Sequence, residues 1–188
     1  KIFMPLKMNR TLALSEDFFN AENIARPHTY VDGKISVIPF QNIDNLAPCG
    51  SIGCSIEDMS HWVITQLDSG NYNGESIIPF SVIQRTRKPE SIQGRVRHPF
   101  NEGHFNLYGL GWGLMDYEGT EILSHTGGVN GFVTSVTLLP EINLGIVVLT
   151  NTDQNAFFQM LKWEIVDAYL GLPYRNYDNH IFRQAMKG

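Results

Sequence analysis

Apolar positions recur every three or four residues in two stretches and crowd together in the last third. That contrast divides the chain. After Ser55, residues Ile56, Met59, Trp62, Val63, Gln66 and Leu67 share one stripe, which predicts an amphipathic helix ending near Ser69-Gly70. Ser55 with Asp58 resembles a capping box with a short acid at its third position. Phe157, Met160, Leu161, Ile165 and Ala168 form a second stripe, predicting a helix over 155–170 that Gly171 and Pro173 stop. Between the two helices, short β-branched and aromatic runs predict strands over 108–115, 121–126, 132–139 and 144–150. The last run is apolar on both faces and is expected inside a sheet covered on both sides. The 140–143 link is short enough to make the last two strands antiparallel neighbours.

The first half is patterned more weakly. Residues 1–14 read as the tail of a helix followed by a turn. Residues 15–50 read as a loop carrying one hairpin, 29–31 against 35–38, across Asp32-Gly33. Pro79 is expected to open a short helix through Ile83, and residues 88–106 read as polar loop. The polar, aromatic segment 174–188 is expected to be a tail or linker. Together these elements predict an α+β fold, an antiparallel sheet flanked by helices.

Composition narrows the class. With 43% apolar and 18% charged residues the chain reads as globular, and no apolar run approaches the length of a membrane span. A net charge of −5 and the scatter of basic residues exclude a nucleic-acid partner. The densest basic group, Arg85, Arg87, Lys88, Arg95 and Arg97, reads as a solvated loop. Cys49 and Cys54 are too few for a disulfide framework and read as small half-buried side chains. No histidine falls in a metal-binding spacing, so neither metal nor cofactor is expected, and His61 reads as a solvated helix residue. Lys1 opens directly into apolar sequence without the pattern of a signal peptide, so an internal piece of a longer protein is expected.

The stretch with the most chemistry is Ser124-His125-Thr126-Gly127-Gly128-Val129-Asn130-Gly131-Phe132, read as a strand that ends in small residues and restarts after them. Glycines within a sheet mark a bulge or a close approach to the backbone. His125 and Thr126 would offer a titratable group and a hydroxyl there, and the Gly128 amide a donor to a developing oxyanion. By spacing alone a glycine-rich hairpin with an ordinary surface histidine fits better.

The surroundings of this stretch carry a resemblance. Tyr108-Gly109-Leu110-Gly111-Trp112 leads in; Gly131-Phe132, Leu139-Pro140 and the run 144–151 lead out. Upstream, Ile2-Phe3-Met4-Pro5-Leu6-Lys7-Met8 with Thr11, then Ala47-Pro48-Cys49-Gly50-Ser51 before Glu57-Asp58-Met59, complete the order, and 167–173 closes it. In this order the pieces resemble the serine β-lactamase-like family of class C β-lactamases, D-alanyl-D-alanine carboxypeptidases and related esterases. Lys7 departs from the family's glycine.

The resemblance implies that residues 1–173 form the C-terminal part of such a catalytic domain, a partial β-lactamase/transpeptidase-like fold. His125, Thr126 and Gly127 match the family's third motif, and Gly128 takes the position of an oxyanion-hole amide. His125 and Gly128 are thus the catalytic candidates. Thr126, Gly127, Asn130 and Tyr108 are the substrate-binding ones, although core packing suits Tyr108 and Trp112 better and a turn suits Asn130 equally. No serine here is followed by lysine three residues on, and the strings Tyr174-Arg175-Asn176 and Tyr177-Asp178-Asn179 fall after the third motif, where the family has no Y-x-N. The nucleophile and tyrosine motifs are therefore expected upstream. Implied substrates are small esters, β-lactams or D-amino-acid peptides. A histidine changes charge in the working pH range where a lysine would not, which favours esters and peptides over β-lactams. A catalytically inactive binding or sensor relative, or an unrelated β-rich binding domain, are the alternatives. Exposed apolar sheet surface would favour a homodimer or pairing with the missing N-terminal half. An extracytoplasmic location is implied by the family only.

Overall fold

The hairpin expected around Asp32-Gly33 forms as β1 (His28–Val31) and β2 (Lys34–Val37), with Tyr30 opposite Ile35. Asp32 and Gly33 both take left-handed backbone, φ +50° and +76°, the twist a two-residue hairpin turn needs. This computed structural model describes residues 1–95, 98–101 and 103–179. Arg97 and residues 180–188 of the expected tail lie outside the described residues.

Three elements of the first half differ from expectation. Residues 1–8 make hydrogen-bonded turns and no helix: Leu6 N–H donates to Ile2 O (3.1 Å) and Met8 N–H to Phe3 O (2.8 Å). Lys7 ends them in left-handed backbone at φ +55°, which explains why glycine suits this position. The expected loop at 15–50 also holds helices α1 (Ser15–Asn20) and α2 (Ala47–Gly50). The backbone N–H and hydroxyl of Ser15 both donate to Asp44 Oδ1, at 2.7 and 2.8 Å. Helix α3 (Ile56–Leu67) forms as predicted, and the Asp58 N–H donates to the Ser55 hydroxyl at 3.1 Å. The Asp58 carboxylate does not complete the capping box but turns away. Its Oδ2 accepts from the Arg10 N–H (2.9 Å) and the Thr11 hydroxyl (2.7 Å), so two residues of the family-like segments meet.

A two-stranded turn, β3 (Asn71–Tyr72) with β4 (Glu75–Ser76), leads to α4 (Phe80–Thr86), one turn longer than expected. Six strands then follow: β5 (Ser91–Gly94), β6 (Asn106–Tyr108), β7 (Gly113–Tyr117), β8 (Thr120–Val129), β9 (Phe132–Leu139) and β10 (Leu144–Thr150). They lie in the order β10-β9-β8-β7-β6-β5, each beside its chain neighbour, and β5 through β8 pair antiparallel. The single strand expected over 108–115 is thus the end of one strand and the start of another, with Gly111 turning between them at φ +84°. The 88–106 loop contains an edge strand. The apolar run 144–150 is also an edge strand, not a central one, and its burial alternates.

The chain folds into two compact units. The first holds Lys1–Thr11, Cys54–His125 and Val136–Val147; the second holds Leu12–Gly53, Thr126–Ser135 and the chain from Val148 on. In the first, Val63 of α3 packs on Trp112, Leu114, Leu123 and Leu138. The helix lies so near the sheet that a Cβ on Gly145 would stand 2.1 Å from Val63 Cγ1.

In the second unit, helix α5 (Phe157–Tyr169) buries Phe158, Lys162, Trp163, Val166 and Asp167, while Phe157 and Ala168 face solvent. The predicted stripe is therefore rotated by about one residue, because two polar side chains share the buried face. Tyr177 is fully buried and its hydroxyl donates to Asp167 Oδ2 at 2.8 Å.

Candidate active site

The pairing of β6 with β7 and β7 with β8 sets Tyr108 opposite Gly113, and Gly113 opposite Ser124, the residue before His125. The Tyr108 hydroxyl and His125 Nε2 lie 2.9 Å apart, their rings 6.0 Å apart. In the neutral Nδ1-protonated tautomer the phenol donates to Nε2; in the imidazolium the direction reverses. Either way one ring nitrogen is engaged and the ring orientation is held.

His125 itself is exposed and stands on the wall of a cleft of about 400 Å³ in the first unit. Trp62, Ile78, Ile83, Leu110 and Trp112 are among the apolar residues of the remaining wall. Trp112 is at once cleft wall and buried core; Tyr108 is half-buried and spends its hydroxyl on His125. Among the described lining residues His125 carries the one imidazole, set against largely apolar surface.

Beyond His125 the strand does not break at its glycines. Thr126, Gly127, Gly128 and Val129 continue β8, all exposed, and the chain turns only at Asn130-Gly131 before Phe132 starts β9. A Cβ on Gly127 would lie 3.0 Å from the Thr134 hydroxyl oxygen. A Cβ on Gly128 would meet nothing within 4 Å, and its φ lies outside the left-handed region. The Gly128 backbone is thus open on that side, with room for another group to approach it.

Other residues take structural roles that pattern alone did not assign. His61 is not a solvated helix residue: Nδ1 lies 2.9 Å from Leu6 O and the ring packs 5.1 Å from Tyr72. Arg87 is half-buried rather than loop-like, and its Nη2 donates to the Gln66 carbonyl at 2.6 Å. Desolvation lowers its pKa, against the opposing pull of Glu121. Arg85 is exposed and pairs with Glu90. Cys49 is exposed; burial, with Asp58 nearby, pushes the Cys54 thiol up to about 11 and keeps it protonated at neutral pH.

The family model described as Beta-lactamase matches residues 1–170. The chain belongs to the beta-lactamase family. A curated relative of this beta-lactamase-family chain is the unguisins hydrolase ungD of Aspergillus violaceofuscus (strain CBS 115571), 25% identical over 187 residues, or 92% of the chain and 33% of the relative. The chain thus spans about a third of the length of the curated relatives it matches. Among solved structures, the octameric penicillin-binding protein homologue from Pyrococcus abyssi superposes with a TM-score of 0.70 at 20% identity, covering 92% of this chain and 36% of that one. The D-amino acid amidase from Ochrobactrum anthropi SV3 superposes at 0.63 and 21%, covering 90% and 48%. The α+β fold expected from the strands and helices, and the β-lactamase-like form implied by the resemblance, is the one these proteins share.

Proposed function

We propose that this chain forms one wall of a serine acyl-hydrolase active site, with the nucleophile supplied by sequence outside these 188 residues. The observation that carries this reading is the Tyr108–His125 pair at the wall of an apolar cleft, followed directly along β8 by Thr126, Gly127 and Gly128. In such a reaction a serine attacks an acyl carbonyl, two backbone N–H groups hold the tetrahedral oxyanion, and water later releases the acyl group. Gly128 N–H is one of those donors. His125, oriented by Tyr108, holds or passes the proton near the attacking oxygen, and the Thr126 hydroxyl binds a carboxylate or amide of the substrate. Because the site presents an imidazole where a lysine would offer an ammonium to a β-lactam carboxylate, the substrates are esters and D-amino-acid amides or peptides before β-lactams. The apolar cleft pairs with the remainder of the parent or with a second copy, and the site of action is extracytoplasmic.

The test is intact mass of this chain and of the full-length parent after treatment with a fluorophosphonate. One adduct on the parent and none on the chain supports the reading. No adduct on either would replace it with a catalytically inactive binding protein.

A further inference from the structure

The turn that ends β8 is tied down from two sides within the second unit. Gly131 N–H donates to Asp153 Oδ2 at 2.9 Å, and Gly131 O accepts from His28 N–H at 3.3 Å. Asp153 N–H donates in turn to His28 O at 3.3 Å, so residues 28, 131 and 153 close a ring of three hydrogen bonds. His28 Nδ1 lies 3.0 Å from Asn151 O, and Asn151 Nδ2 donates to Arg26 O at 3.0 Å. The fit at the turn is close: Gly131 has φ +79°, and a Cβ there would stand 2.3 Å from Pro27 Cβ and 2.8 Å from His28 N. Gln154 Nε2 donates to the Thr29 hydroxyl at 3.3 Å, a further tie between the same two segments.

Resting on the reading of Gly128 as an oxyanion donor, we propose that Asp153 is a positioning residue that fixes the height of the Gly127-Gly128 backbone by anchoring the Asn130-Gly131 turn. Gly128 is three residues from the anchored amide, and the exposed tip of a glycine-containing strand has little packing of its own to hold it. A charged acceptor makes a stronger bond to an amide than a neutral one, so the anchor stays closed while substrate comes and goes. An oxyanion donor acts only if it lies within a few tenths of an ångström of its place. A slack turn therefore costs rate rather than substrate binding.

The experiment uses the full-length parent, with the fluorophosphonate reaction rate, the steady-state kcat and KM on a D-amino-acid p-nitroanilide, and amide exchange at Gly131 as readouts. Asp153→Ala is expected to speed exchange at Gly131 and to lower the labelling rate and kcat about 10-fold, a fraction of the ~10²–10³ that a lost oxyanion donor costs, with KM within about 2-fold. Asp153→Asn keeps an acceptor and is expected to restore the rate to within about 3-fold of the parent. If Asp153→Ala fails to fold, Asp153→Glu, which keeps the charge but displaces the acceptor from the Gly131 amide, decides by the same readouts: faster Gly131 exchange with a parental rate overturns the proposal. An Asp153→Ala protein with fast Gly131 exchange and parental kcat overturns it, as does a change in KM alone. No labelling of the unmutated parent overturns the active-site reading instead, whatever the variants do.

Discussion

Lys162 is the sharpest place to test the energetics. Its side chain lies on the buried face of α5, 8% exposed, with Nζ 4.3 Å from the centre of the Trp163 ring. Burial alone lowers its pKa from 10.5 to about 8. At ~1.36 kcal/mol per unit of pKa, holding the ammonium at neutral pH costs the fold about 3 kcal/mol. Lys162→Met keeps the length of the side chain and removes the charge. It forfeits the ammonium–indole contact, worth about 1–2 kcal/mol when desolvated. The expected net effect at pH 7 is a stabilisation of about 1–2 kcal/mol, which for a domain of this size raises Tm by about 2–8 °C. The sign with pH follows from linkage. The folded pKa lies below the unfolded one, so between about 8 and 10.5 the unfolded chain binds more protons and the parent's stability rises with pH. The advantage of the methionine variant is therefore fully present below pH 8 and fades toward pH 10.5. Urea unfolding of both proteins at pH 7, 8.5 and 10 measures this. A methionine variant no more stable at pH 7, or a gap unchanged across the series, refutes the reasoning.

Four further outcomes are expected. Lys7→Gly relieves left-handed backbone that costs a side-chain-bearing residue about 1–2 kcal/mol, gives back part of this as chain entropy, and should raise stability by about 0.5 kcal/mol by chemical denaturation. Gly145→Ala drives a methyl into Val63 and should cost about 1–3 kcal/mol in the same assay. Iodoacetamide at pH 8 should label Cys49 and leave Cys54 untouched until the chain unfolds, read by peptide mass mapping. Burial opposes ionisation of Asp153, but bonds from Thr29 and the Gly131, Asp153 and Gln154 amides outweigh it and lower its pKa. Its contribution is thus present above the ordinary carboxylate range and lost as pH falls through it. Asp153→Asn should flatten the acid side of the stability curve below about pH 4, measured by circular dichroism.

Local chemistry made much of this protein readable from its residues. Ser55 caps α3 because a side-chain oxygen three residues ahead of a free amide is a local event. Asp32-Gly33 turns the hairpin because only certain residues accept positive φ, and β9 and β10 start and stop where β-branched runs meet Pro140 and Asn143. The order of short motifs, His125 through Gly128 among them, was enough to indicate the family. Contacts between distant residues were not readable. Apolarity on both sides of 144–150 could not say whether the strand is central or at an edge, since both positions bury side chains and only pairing separates them. The buried face of α5 was misplaced because it carries Lys162 and Asp167, and a polar residue is recognised as interior only when its neighbours are known. The tyrosine that holds His125 sits 17 residues before it, and the aspartate that holds Gly131 sits 22 residues after it. Chain spacing carries no trace of either bond, because strand register and loop docking, not helical or strand period, bring those atoms together.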